Sequence, residues 1–114
     1  MVTPTAGIVV LVPFPFSDLS KTKLRPAVVL ADSGRGDWIL SQITSKAYGD
    51  PKAITLTDKS FDKGSLRTIS YARPGKLFTA NSILMITQVG ILRYKVLKNI
   101  IESVISILKS GMKN

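Results

Sequence analysis

The sequence contains no cysteine and no histidine. Without cysteine there can be neither a disulfide nor a thiolate metal site. Without histidine, the side chain that most often serves as a general base or a transition-metal ligand is missing. Whatever chemistry this chain performs must therefore use other side chains.

Acidic residues are also scarce: 7 of them face 16 lysines and arginines, for a formal net charge of +9. The six aspartates and the single glutamate are scattered, with no two at a spacing that suggests a divalent-metal site. Phosphate-binding GxxxxGK[ST], dinucleotide-binding glycine patterns and a serine elbow are all absent. The sequence therefore predicts no metal and no cofactor. Its charge favours an anionic partner such as nucleic acid, an acidic protein or a membrane surface.

Long apolar runs are missing as well, since none approaches the roughly 20 residues that span a bilayer. The N-terminal MVTPTAGIVVLVPFPF has no basic residue and is broken by prolines, so it makes a poor signal peptide. We expect a cytoplasmic protein that does not enter membranes.

The residues that are present suit one domain over positions 1–114, with an apolar fraction of 45%. Short β-branched or alternating segments predict strands over residues 7–13, 26–32, 38–45, 53–57, 69–73 and 83–90. Residues 13–24 predict a long loop, residues 58–68 a polar segment, and residues 74–82 a turn with an irregular piece. The predicted fold is mainly β: a small barrel-like domain with one C-terminal helix.

That helix covers residues 94–110, with Gly111 at its C-terminal cap. Six apolar residues share one face at helical spacing: Leu97, Ile100, Ile101, Val104, Ile105 and Leu108. Val96 and Ile107 widen this face to about half the cylinder. A deep core contact is the favoured explanation, and a partner surface is the alternative.

The candidate chemistry centres on Arg25, which precedes Pro26 at the start of a strand. The residue before a proline is restricted to extended backbone, so Arg25 is held on a stiff segment. The other candidates are Thr44 and Ser45 at a strand end, Ser70 on another strand, and lysines around the first loop. These groups suffice to cleave RNA, which carries its own nucleophile in the 2′-hydroxyl. The enzyme need only align that oxygen and neutralise charge on the phosphoryl oxygens, and the planar fork of arginine matches phosphate.

These residues lie in a pattern that resembles a known family. VVLVPFPFSDLSKTKLRPAVVLAD, followed about a dozen residues later by QITS, resembles the MazF/PemK-type endoribonuclease toxins of bacterial toxin–antitoxin systems. The later ISYARPGKLFTAN and the terminal helix are also similar, so the resemblance spans nearly the whole chain. In one place the chain departs from the family, which usually reads Gly-Asp before the first strand: here Ile8 follows Gly7.

The resemblance implies an SH3-like barrel, a homodimer, metal-independent cleavage of single-stranded RNA, and neutralisation by an acidic antitoxin. Operator DNA would be contacted only through the antitoxin complex. Arg25 matches the family's catalytic arginine and Thr44 its catalytic threonine, while Ser70 matches a serine near the RNA groove. Among the other residues, the candidates for substrate binding are Ser45, Lys21, Lys23 and Phe16, and residues 17–24 are expected to gate the site.

Each candidate also has an ordinary structural explanation. Arg25 would be a strand-edge charge, Thr44 a β-former and Ser45 a turn residue. Lys21 and Lys23 would keep the loop soluble, and Phe16 or Phe14 would belong to the core. For the whole protein, the alternative is a non-catalytic barrel that binds nucleic acid or a protein, as the gyrase-poisoning toxins of the same fold do. Their activity lies at the extreme C-terminus and involves a tryptophan, whereas this chain ends KSGMKN and its one tryptophan is Trp38.

Overall fold

The computed structural model describes residues 2–15 and 22–113. In this described part of the chain, seven strands are followed by one helix: β1 (Ile8–Pro15), β2 (Thr22–Gly34), β3 (Asp37–Thr44), β4 (Ile54–Leu56), β5 (Phe61–Gly64), β6 (Ser70–Asn81), β7 (Thr87–Leu92) and α1 (Tyr94–Ser110). Two short 3-10 helices, Asp58–Ser60 and Ser82–Leu84, connect strands. No helix within these described ranges is both long enough and apolar enough to cross a membrane.

The strands form one antiparallel sheet in the order β4-β6-β3-β2-β1-β7-β5. Its two edge strands, β4 and β5, are joined by residues 57–60 alone. Seven flat strands at the usual spacing would place these edges about 29 Å apart, but the connection spans at most roughly 18 Å. The sheet must therefore curl until its edges approach each other. The prediction of a mainly β, barrel-like fold with a C-terminal helix is confirmed.

Alternation along the strands divides the side chains between two faces. One face packs into a core that draws residues from all seven strands, including Val9, Val28, Ile43, Leu56 and Ala72, and we call it the helix face because Ile100 of α1 completes it. The other face carries a second core that includes Val10, Val12, Ala27, Val29 and Leu40. Arg25 lies two residues before Ala27 and four before Val29 on β2, so its side chain projects to the same face as theirs. We therefore call this second surface the arginine face.

Helix α1 uses its apolar side unevenly along its length. Ile100 is fully buried, and its neighbours Val96, Leu97, Ile101 and Val104 pack against the core of the helix face. Nearer the C-terminus, Ile105 is 45% exposed and Leu108 is 63% exposed. The core contact expected from the wide apolar face thus accounts for the first half of the helix and leaves apolar side chains exposed in the second.

One strand is longer than the sequence predicts, because residues 74–82 do not form a turn. β6 continues through Pro74 and pairs with β3 on both sides of it, from Ile43↔Ala72 to Ser41↔Leu77. The register shifts between these pairs, so the Pro-Gly dipeptide marks a bulge. A bulge and a turn share the same residue preferences, and only the partner strand distinguishes them.

Two further boundaries differ from the prediction. Residues 83–86 are not part of β7, because the side chain of Asn81 accepts a hydrogen bond from the backbone N–H of Ile83 (3.1 Å) and caps a 3-10 turn there. β5 lies within the segment expected to be only polar. It pairs closely with β7 at Gly64↔Gly90, where a Cβ on Gly64 would overlap the backbone of Val89. A polar sequence gives no signal for such a strand.

Candidate active site

Arg25 lies inside a central strand, and not at a strand edge. The sequence predicts that Pro26 opens this strand, but the structure places Pro26 fifth in β2, directly after Arg25. β2 is flanked by β1 and β3 in the middle of the sheet, and Arg25 is half-buried opposite Val12. An exposed strand-edge charge does not describe this position.

The strand register, extended beyond its last pair, sets Arg25 opposite Thr44. The ladder between β2 and β3 begins at Ala27↔Gln42, immediately after Pro26, which has no N–H to donate. Continued by two residues along both strands, this register sets Arg25 opposite Thr44. Residues directly opposite each other on antiparallel strands project to the same face. The two predicted catalytic residues therefore share one row on the arginine face, where the β2–β3 ladder ends.

Thr44 is the last residue of β3 and only 7% exposed. Its Oγ1 accepts a hydrogen bond from the backbone N–H of Lys46 (3.2 Å), which fixes the hydroxyl at the start of the following loop. An accepting hydroxyl keeps its own O–H for donation. The row at Arg25 and Thr44 thus combines a guanidinium with a hydroxyl, a combination suited to binding the oxygens of a phosphate.

The other predicted substrate-binding residues occupy different positions. Lys23 is exposed and lies two residues before Arg25, on the same face. Ser45 is exposed directly after Thr44. Phe16, Lys21 and most of the predicted gating segment 17–24 lie outside the described residues. These assignments stay predictions.

Ser70 lies away from this row. It is the first residue of β6 and pairs with Leu56, whose side chain belongs to the core of the helix face. The Ser70 side chain is 4% exposed, and its hydroxyl donates to the carbonyl of Thr68 (3.2 Å). The structure therefore places Ser70 and Thr44 on opposite faces of the sheet.

Ile8, where the chain departs from the Gly-Asp pattern, is a core residue. It pairs with Ile91, is 2% exposed, and packs in the second core with Val10. A carboxylate in that place would be buried among apolar side chains at a cost.

Two aromatic residues, Trp38 and Phe14, also pack on the arginine face. Trp38 is half-buried against the second core. The ring of Phe14 meets that of Phe78 edge to face, with the centroids 5.3 Å apart.

A cluster that the sequence did not reveal borders the site. The guanidinium of Arg73 pairs with the carboxylate of Asp50 (Nε to Oδ2, 3.0 Å) and lies 5.8 Å from the centroid of the Tyr48 ring. The pKa of Asp50 is lowered, first by a hydrogen bond from the backbone N–H of Lys52 and then by Arg73. Tyr48 and Asp50 lie between β3 and β4, and Arg73 lies in β6, more than 20 residues further along the chain. Only the tertiary structure brings them together.

No group of three or more acidic side chains within residues 2–15 and 22–113 is arranged to hold a metal ion. Asp50, the acidic residue closest in sequence to Thr44, already forms an ion pair with Arg73.

Several solved structures are similar to this chain. A MazE–MazF complex from Deinococcus radiodurans matches with a TM-score of 0.74 and 22% identity, over 99% of this chain and 100% of that one. An endoribonuclease in complex with its cognate antitoxin, from a mycobacterial species, matches with a TM-score of 0.69 and 14% identity over 96% of both chains.

The Mycobacterium tuberculosis toxin MazF-mt6 matches with a TM-score of 0.64 and 15% identity, over 88% of this chain and 96% of that one. No family model and no curated protein sequence matches the chain. At these identities the likeness shows the fold: the chain has the fold of the MazF toxins.

Proposed function

We propose that this chain is the toxin of a type II toxin–antitoxin system, formed by one domain over residues 1–114. It is an endoribonuclease that cleaves single-stranded RNA, chiefly mRNA, without a metal ion, and so stops translation and growth. The observation that carries the proposal is the β2–β3 register in a chain with the MazF fold. Its last pair is Ala27↔Gln42, and extending it by two residues along both strands sets Arg25 opposite Thr44.

The reaction is an internal displacement at phosphorus. The 2′-oxygen of one nucleotide forms a bond to the adjacent phosphorus as its proton leaves, and the bond from phosphorus to the 5′-oxygen of the next nucleotide breaks. The 5′-oxygen takes up a proton, and the products are a 2′,3′-cyclic phosphate and a 5′-hydroxyl. The guanidinium of Arg25 binds the non-bridging oxygens, whose charge rises in the transition state. The hydroxyl of Thr44 donates a further hydrogen bond to the same phosphoryl group.

Incubating the purified protein with a long unstructured RNA in EDTA tests this function directly. We expect cleavage, with 2′,3′-cyclic phosphate ends detected by mass spectrometry. Cleavage that needs added magnesium would refute the metal-independent route. No cleavage under either condition would leave the non-catalytic nucleic-acid-binding or protein-binding barrel in its place.

The proposed partners are an acidic antitoxin and a second copy of the same chain, in the cytoplasm. Similar folds occur in complex with MazE and with a cognate mycobacterial antitoxin, and the +9 charge of this chain suits an acidic ligand. An acidic segment can lay carboxylates where RNA phosphates would bind. Operator DNA would be reached only through the antitoxin complex. Light scattering should give about twice the 12.4 kDa chain mass, and a monomer that still cuts RNA would remove the homodimer from the proposal.

A further inference from the structure

Tyr48 occupies a backbone conformation that its side chain disfavours. The turn at residues 47–50 is closed by a hydrogen bond from the N–H of Asp50 to the carbonyl of Ala47 (3.0 Å). Both central residues have positive φ, 54° at Tyr48 and 68° at Gly49, as in type I′ turns. Glycine, asparagine and aspartate dominate such positions, because a bulky side chain is strained there.

Burial does not compensate for this strain, since Tyr48 is 69% exposed. The ring contacts the guanidinium of Arg73, whose carbon lies 5.8 Å from the ring centroid, within the range of a cation–π contact. Arg73 is itself fixed by Asp50 at 3.0 Å and is 19% exposed. A fixed cation thus supports the Tyr48 ring, while most of the residue faces solvent.

This ring lies at the border of the Arg25–Thr44 row. The loop of residues 45–53 starts directly after Thr44, and Tyr48 follows four residues later. Arg73 is two residues beyond Tyr71, which pairs with Thr44, and alternation opposite Ala72 places Arg73 on the arginine face. Because both Tyr48 and Asp50 contact Arg73, the loop crosses β6 on this face, on the same side of the sheet as the proposed catalytic residues.

The charge of the loop suits a polyanion. Lys46 and Lys52 are exposed on it, and its one acid, Asp50, is paired with Arg73. Sites for single-stranded nucleic acid combine such basic surfaces with exposed aromatic rings on which unpaired bases stack.

We propose that Tyr48 is a base-stacking platform for single-stranded RNA. Its ring holds one unpaired base of an RNA whose scissile phosphate lies at Arg25 and Thr44, and Arg73 is the positioning residue that holds the ring from beneath. This inference rests on the proposed ribonuclease function and adds to it a residue that stacks on a base.

The test uses RNA oligonucleotides built around a sequence that the wild type cuts, with 2′-deoxyribose at the cut position so that they bind without being cleaved. Each base in turn is replaced by an abasic site, and affinity is measured by fluorescence anisotropy. For the wild type we expect one position where loss of the base weakens binding about 5- to 150-fold, the range for one stacked base.

Two variants separate stacking from a structural role. Tyr48→Phe keeps the ring and should retain the wild-type abasic profile. Tyr48→Asn removes the ring and places a residue that tolerates positive φ in the turn. It should bind intact RNA as weakly as the wild type binds the RNA that is abasic at the sensitive position. Removing the base at that position should not weaken binding by this variant any further. Its Tm should equal or exceed that of the wild type, whereas a purely structural Tyr48 predicts a lower Tm.

Three results would overturn the stacking platform while leaving the nuclease in place: a wild type that cuts RNA but shows no base-sensitive position, a Tyr48→Asn variant that keeps the wild-type profile, or one weakened equally at every position. A wild type that neither binds nor cuts RNA would reject the proposed function, and the stacking platform with it.

Discussion

The two faces of the sheet are built from the same strands but differ in what they expose. The helix face is covered by α1, and its buried polar side chains, Ser41 and Ser70, donate their hydroxyls to backbone carbonyls. The arginine face is apolar around Val10 and Leu40, but carries Lys23, Arg25 and Thr44 where the β2–β3 ladder ends. Because side chains alternate along a strand, neighbouring residues project to different faces of the sheet. Substitutions on the two faces should therefore separate stability from chemistry.

The largest effect is expected at Arg25. Loss of a preorganised charge donor costs about 100- to 1000-fold in rate, so Arg25→Ala should lower kcat for RNA cleavage by at least that factor. Arg25→Lys is the matched control: it keeps the charge but loses the planar fork, and should recover only part of the rate. Circular dichroism should show both variants folded. A folded Arg25→Ala that cuts at the wild-type rate would falsify the site.

On the helix face, Ile100→Ala should lower stability and leave cleavage unchanged. Ile100 is the one residue of α1 that is fully buried, and truncating such a side chain costs about 2–5 kcal/mol in unfolding free energy. We expect this loss in urea denaturation, with cleavage per folded molecule unchanged. Leu108→Ala is the control on the same helix: at 63% exposure it should change stability little. A fall in specific activity of folded Ile100→Ala would show that the two faces are coupled.

Thr44 and Ser70 offer a comparison of two hydroxyls on opposite faces. Thr44→Val removes the hydroxyl and keeps the shape, and should reduce kcat by about tenfold, the lower end for one lost hydrogen bond to a charged group. Ser70→Ala should leave cleavage within about twofold, because its hydroxyl is satisfied by Thr68 on the helix face. If Ser70→Ala were the more damaging in single-turnover cleavage, the role of Ser70 at the RNA groove would outweigh its position in the sheet.

The smallest effect concerns Asp50 and is visible as pH dependence. The pKa of Asp50 is lowered in the folded state from its usual value of 3.8, first by the hydrogen bond from the backbone N–H of Lys52 and then by Arg73, so these contacts stabilise the fold at pH values above 3.8. This contribution is lost as the pH falls through the lowered pKa. The Tm of Asp50→Asn should therefore lie below that of the wild type at pH 7, and the gap should shrink as the pH falls below 3.8 and close below the lowered pKa. An equal gap at both pH values would place the origin of the effect elsewhere.

The sequence predicts the parts of this molecule that local patterns determine. The β-branched runs predict β1 and β2, and helical spacing predicts α1. What it cannot predict depends on distant partners. The segment at Pro74 is predicted as a turn because the bulge there depends on pairing with β3. β5 gives no strand signal because its pairing with β7 depends on close contact between glycine backbones.

The same division holds for the candidate site. Arg25 and Thr44 are candidates by motif, and their proposed juxtaposition requires only the hairpin register. Arg73 and Tyr48 were missed, since neither has a sequence signal and the Pro-Gly bulge that follows Arg73 is itself unpredictable from local sequence. By motif, Ser70 resembles a residue near the RNA groove. The face to which it projects, however, depends on the alternation of side chains along β6, and a one-residue change of register would reverse that face.

The position of β1 between β2 and β7 has a consequence for how the protein is made. β1 is the first strand to leave the ribosome, and β7, its second partner, is the last. About 80 residues separate them, so at about 5–20 residues per second β1 waits about 4–16 s with one edge unpaired. The β1–β3 meander that carries Arg25 and Thr44 is complete long before the sheet can close. The nascent chain therefore holds both residues of the proposed active site before it has the barrel that supports them.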